Sequence, residues 1–351
     1  MHSSTAAAPP RHCRRKTMTT RRSFLVRGSA ALAVAAAVSF GLTACGGDAP
    51  AQSDGGTTKV KVAVAPIQFE TAYIAQQKGY FAKHGLDVEL VRGADPAALL
   101  AQVVSGDVNI GIGSWINVAT SAAKGVPVKV IGGNGMVDSK SDNSGVLVAK
   151  DSPVKSLKDL AGKTIGVNGV KTGGDIPVLQ ALEGAGVDTS GVKEVAIPYS
   201  GMQAALERNT VDAVVPADSF YHQMVAAGYT SISNPVREYQ ADMPVTVWTT
   251  TAQWVSQNAS TAKKFTDAMT EAVAYYNDPA HLQDVQKVYA DVNQADISKA
   301  PKTFVPADVT LNVKEAQDGI NAMRHFGLLQ KDVAVKDVLW DQAPQRAEAG
   351  K

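Results

Sequence analysis

A chain of 351 residues with 45% hydrophobic and 19% charged side chains has the apolar material of a folded protein with a real core. Its charge is uneven: residues 1–44 carry seven Lys or Arg and no Asp or Glu, so all 33 acidic residues lie beyond them and the larger part is mildly acidic. That balance excludes a basic footprint for nucleic acid, and with only Cys13 and Cys45 present no cysteine pair beyond residue 45 can make a disulfide, a CxxC redox site or a thiolate zinc cage.

The first element is a leader. Arg21-Arg22 precede an Ala/Val-rich run, Ala30 to Phe40, which ends at Leu42-Thr43-Ala44-Cys45. The run falls short of the roughly 20 apolar residues a spanning helix needs, so it reads as an export signal and not as a permanent span. Thr20 to Leu25 resembles the twin-arginine export consensus, and Leu42 to Cys45 resembles the bacterial lipobox. This resemblance implies export, lipid attachment at Cys45, and a chain held on the outer face of the cell membrane. Residues 46–58 have the Gly, Ala, Ser, Pro and Asp composition of a flexible linker.

From Lys59 the pattern alternates between strand and helix periods. Lys59 to Val64 reads as a strand, Phe69 to His84 as a helix, Gly85 to Val91 as a strand, and Pro96 to Ser105 as a helix capped by Asp95. A strand at Val108 to Ile112, a helix at Trp115 to Lys124 and a strand at Val128 to Ile131 follow. The grammar restarts after Pro153: strands at Lys163 to Val167, Val192 to Ile197 and Val211 to Val215 alternate with helices at Pro177 to Ala185, Gly201 to Arg208 and Ser219 to Ala227. A β-rich stretch spans Val245 to Thr250, and Ser260 to Leu329 is largely helical, with Phe265, Met269, Ala272, Val273 and Tyr276 on one face. Such alternation predicts α/β sheets with parallel crossovers. Extended segments near residues 145–149 and 244–250 divide the chain into one lobe of 59–148 with 246–351 and a second of 149–245. The expected architecture is a two-lobed clamshell of mixed α/β sheets joined by two hinge strands, with a helical C-terminal segment.

Particular residues carry a family resemblance. Lys78-Gly79-Tyr80-Phe81 followed by Gly85-Leu86-Asp87-Val88, then Ser105-Gly106-Asp107-Val108, Gly125-Val126-Pro127-Val128, Leu157 to Val167, and Ala204 to Glu207 with Val211-Asp212-Ala213 appear in order. They resemble the SsuA/NMT1/THI5-like substrate-binding proteins. The resemblance implies a periplasmic-binding-protein type II fold, a small-molecule solute, ABC permease and ATPase partners, a monomer, and neither cofactor nor catalysis. It also brings an enzymatic rival, pyrimidine synthesis, in which a histidine is consumed and a cysteine-rich segment is present. No such segment occurs here. A sensor or adhesin on the same fold is a third reading. From the residues themselves, Gly162-Lys163-Thr164 is no phosphate loop, because Leu157 stands where its first glycine belongs and a strand, not a helix, follows.

Ligands of such sheets collect at the carboxyl ends of strands. Four loops are therefore candidates. Gln68, Phe69, Glu70 and Tyr73 form the first, although aromatic residues at that spacing equally serve helix packing. Ser114, Trp115 and Asn117 form the second, with Ser114 and Asn117 able to cap the helix and Trp115 expected in the cleft. Thr172, Gly173, Gly174 and Asp175 form the third, where the glycines admit close backbone approach and Asp175 either caps the helix or takes a ligand N–H. Ser200 and Asp218 mark the fourth, where Asp218-Ser219-Phe220 replaces the Glu-Pro-Phe of many relatives. Glu70, Asp138, Asp175 and Asp218 outnumber Lys171 and Arg237 across these loops, which favours a neutral or N–H-bearing solute over nitrate. The scattered His84, His222, His281 and His325 form no metal pattern.

Overall fold

The computed structural model describes residues 57–65, 68–93, 96–140, 142–171 and 173–346, all within the compact unit that begins at Ser53. The leader, Cys45, the linker up to residue 56, and Thr172 lie outside the described residues. In chain order the strands are β1 Thr58–Val64, β2 Leu86–Arg92, β3 Ile110–Ser114, β4 Val128–Gly133, β5 Val146–Val148, β6 Thr164–Val167, β7 Lys193–Ala196, β8 Ala213–Val214, β9 Thr230–Ser233 and β10 Thr246–Thr251.

They form two five-stranded sheets on one plan. The first runs β2-β1-β3-β10-β4, the second β7-β6-β8-β5-β9. In the first, β1 pairs in parallel with β2 and β3, joined through helical crossovers as parallel pairs require. β10 returns from far along the chain and runs antiparallel between β3 and β4. In the second, β6 pairs in parallel with β7 and β8, and β5 lies antiparallel between β8 and β9. Each lobe thus receives one reversed strand at the point where the chain enters it from the other.

The chain crosses between lobes twice, after β4 and after β9, and the crossings pair with each other. The Val137 amide donates to the Met243 carbonyl and the Asp242 amide to the Val137 carbonyl, both at 3.0 Å. Met136 bridges Pro244 in antiparallel register. A two-stranded connection of this kind can bend while keeping its backbone groups satisfied.

The first lobe is closed by helices whose apolar faces follow the expected period. On the helix Ala259–Asn277, Phe265, Met269, Ala272, Val273 and Tyr276 are all buried. Phe265 lies edge-on to Trp248 at 5.2 Å and stacks on Phe81 at 5.7 Å. Past the helix Val313–His325, Leu339 bridges Val130 and the Trp340 amide donates to the Val130 carbonyl, so the C-terminal segment covers the free edge of β4. In the second lobe the two-residue period is explicit. Val146 and Val148 of β5 enter one apolar cluster, and Leu147 enters another on the opposite face.

Two expectations are corrected. The helix read over 69–84 is two helices, Glu70–Gln77 and Tyr80–Lys83, because Gly79 takes φ +73° between them, a conformation that ends a right-handed helix. Residues 146–148, read with the first lobe, are β5 and pair in the second sheet. The first crossing therefore precedes the position read for it.

Candidate functional site

The carboxyl ends of β1 and β3 and those of β6 and β8 face each other across the hinge, and the loop after β6 makes the contact. Gly173 has φ +93°, and a Cβ placed there would lie 2.7 Å from Ile116 Cδ1, in the first turn of the helix that follows β3. Ile176 of the second lobe joins the apolar cluster of the first. On the rim, His325 Nε2 lies 3.0 Å from the Glu183 carboxylate of the second lobe.

The first loop is built into the hinge and the core. Gln68, at φ +49°, accepts from Asn134 Nδ2 through its carbonyl at 2.9 Å and from the Thr246 hydroxyl through its side chain. Asn134 also accepts from the Thr71 hydroxyl at 2.8 Å. Buried Asn134 therefore ties the start of the first helix to both crossings. Phe69 is fully buried, edge-on to Tyr73 at 5.7 Å and stacked near Tyr289, and so serves the core and not the cleft. Tyr73 is half-buried against the same cluster. Glu70, next in sequence, is also buried, and its Oε2 has no hydrogen-bond partner among the described residues. Desolvation pushes its carboxyl up to about 7.

At the second loop Ser114 caps the helix Trp115–Ala123, its hydroxyl accepting from the Asn117 amide at 3.2 Å. Trp115 does not face the cleft as expected. It is buried and donates through Nε1 to the Ala316 carbonyl at 3.3 Å, because Val118 and Ala119, one turn on, share its buried side. Asn117 is half-buried in that first turn, beside Ile116.

At the third loop Gly173 is buried and Gly174 exposed. Asp175 neither caps the following helix nor meets solvent. Its carboxylate turns back to accept the amides of Lys171 and Gly173 and so holds Lys171 at φ +56°. Desolvation and the Asp175 charge together push the neighbouring Glu194 on β7 up to about 7. At the fourth loop Ser200 is exposed in the first turn of Tyr199–Glu207, and Asp218 opens the helix Asp218–Ala226.

The charge count accordingly changes meaning. Asp175 is committed to its own loop, Glu70 is buried beside the hinge, and Asp138 accepts the Lys140 amide. Arg237 lies 3.9 Å from Asp142, with which Tyr221 and Asn234 also bond. The histidines stand elsewhere: His84 on Glu271, His281 stacked on Tyr275, His222 edge-on to Tyr221. Among the described residues no group of three His, Cys, Asp or Glu could hold a metal, and no helix is long and apolar enough to cross a membrane. A surface cavity of about 570 Å³ lined by Lys129, Val255, Lys336 and Trp340 lies at the amino end of β4, the end away from the cleft.

The sequence profile described as NMT1/THI5 like matches residues 67–281, more than half of the chain. A putative thiamine biosynthesis protein of Haemophilus influenzae is 26% identical over 280 residues, covering 75% of this chain and 85% of that one. A 4-amino-5-hydroxymethyl-2-methylpyrimidine phosphate synthase of Legionella pneumophila is 30% identical over 139 residues, which span only 42% of it. Among solved structures, the periplasmic aliphatic sulphonate binding protein SsuA of Escherichia coli superimposes with a TM-score of 0.65 at 15% identity, covering 82% of this chain and 98% of that one. That likeness is one of fold.

Proposed function

Because the chain belongs to the NMT1/THI5-like family, we propose that it is an extracytoplasmic, lipid-anchored solute receptor that delivers a small organic molecule to an ABC permease and its ATPase. One observation carries this reading: two sheets on the same plan turn their strand ends toward each other across a paired double crossing, and Gly173 meets Ile116 where they close. Only the closed state offers a solute contacts from both lobes at once, so differential affinity drives closure. The solute class that fits the loops is a neutral or N–H-bearing heterocycle, since Arg237, the one arginine among the residues counted there, already faces Asp142. Thermal-shift measurement of the purified chain across pyrimidines, alkanesulfonates, nitrate and aromatic acids tests this. A saturable rise in melting temperature with one class supports it, and no rise with any class contradicts it.

A second reading, pyrimidine-forming catalysis, is favoured by the match to the Legionella synthase. Against it stand the absence of any cysteine beyond Cys45 and the engagement of His84, His281 and His325 with partners on the flanks of the lobes.

A further inference from the structure

We propose that Ser144 is a specificity-determining contact of the second lobe, donating a hydrogen bond to an uncharged acceptor atom, a ring nitrogen or carbonyl oxygen, of the solute. Ser144 is 6% exposed, and its hydroxyl has no hydrogen-bond partner among the described residues. A buried hydroxyl without a partner costs stability and calls for an explanation. Its position supplies one. Ser144 forms an antiparallel bridge with Ala217, which places the two Cβ atoms on one face about 4.5–5.5 Å apart. Ala217 is the N-cap of the helix Asp218–Ala226, and a methyl group cannot satisfy the amides of the first turn. An unpartnered hydroxyl therefore stands beside the N-terminus of a helix whose N-cap side chain makes no cap.

The topology puts this cluster in the cleft. β5 runs antiparallel to β8, so the start of β5, where Ser144 lies, is at the carboxyl end of β8. That is the edge from which Gly173 and Ile176 reach the first lobe. The nearby carboxylate of Asp142 already accepts from Tyr221 at 3.0 Å and lies within 3.9 Å of Arg237. With that guanidinium so engaged, an acceptor without formal charge suits the donors better than an oxyanion.

The assignment rests on the solute-receptor reading, and calorimetric titration of the full chain separates the two. The probes are 4-amino-5-hydroxymethyl-2-methylpyrimidine and methanesulfonate. The expected result is binding of the pyrimidine, weakened at least about tenfold in Ser144→Ala and kept within a few-fold in Ser144→Thr, which retains the hydroxyl. Melting of the unliganded Ser144→Ala chain should be unchanged or slightly raised, since the hydroxyl has no partner to lose. Equal affinity of wild type and Ser144→Ala, or loss of the fold in Ser144→Ala, overturns the assignment and leaves the receptor reading standing. Binding of methanesulfonate in place of the pyrimidine does the same. Failure of the wild type to bind either probe or any class in the thermal-shift series overturns the receptor reading and the assignment with it.

Discussion

In the lobe built on β1–β4 and β10, one apolar cluster runs from Val60 to Ala343 and joins the sheet, the long helices and the C-terminal segment. The lobe built on β5–β9 divides its apolar residues between two small clusters on either side of a sheet in which β8 is only two residues long. The same strand plan is therefore supported to different depths. A small divided core with a short ladder opens at lower free energy than a large continuous one. The first lobe should act as the fixed base, and the second as the part that moves and partly unfolds first.

The largest effect that could break this contrast is in the cores. All four tryptophans, Trp115, Trp248, Trp254 and Trp340, lie in the first lobe, so fluorescence reports that lobe alone, whereas circular dichroism reports both. Phe265→Ala, beneath Trp248 and Phe81, should cost roughly 3–5 kcal/mol and move the fluorescence transition in urea. Leu147→Ala should move the circular dichroism transition first and leave the fluorescence midpoint nearly in place. Equal movement of both would mean that the lobes unfold as one unit.

Next come two carboxyls that desolvation pushes up to about 7, Glu70 in the first lobe and Glu194 in the second. Glu70 is protonated more readily folded than unfolded, so its penalty is absent below pH 4.5, grows as pH rises toward about 7, and is constant above. Glu70→Gln should therefore stabilise the chain at pH 8 by something on the order of 3 kcal/mol, and the gain should vanish in melts at pH 4. Glu194→Gln should act with the same sign but less, because that side chain is partly solvated. A gain that persists at pH 4 would show that charge is not its cause.

The interface between the lobes gives a finer test. Gly173→Ala adds backbone strain at φ +93° in every state but meets Ile116 only when the lobes close. Solute affinity should fall about tenfold or more, and Ile116→Ala in the same chain should recover part of the loss. No recovery would assign the whole effect to the backbone. The smallest effect belongs to the exposed pair of His325 and Glu183. Glu183→Gln should leave solute affinity within about twofold, as exposed ion pairs contribute little.

Much of the fold was legible because it repeats locally. The alternation of periods from Lys59 to Ala227 and the apolar face of Ala259–Asn277 are patterns within single segments. What the sequence concealed depends on distant partners. β5 is three residues long and is defined by pairing with β8 and β9, more than 60 residues on. Trp115 looks like a cleft aromatic after Gly113-Ser114 until Ala316 supplies its acceptor from two hundred residues away. Its spacing to Val118 and Ala119 was the one local sign of a buried face. Glu70 and Ser144 carry no local signature at all. Their character comes from burial that leaves one side-chain oxygen unpaired among the described residues, which only the assembled lobes create.

A solute receptor holds its solute in the cleft and releases it unchanged. Native mass spectrometry of the full chain, incubated with the compound that gives the largest thermal shift, tests it directly. One molecule of unaltered mass per chain after prolonged incubation is the predicted result. A bound compound or a protein of altered mass would contradict it.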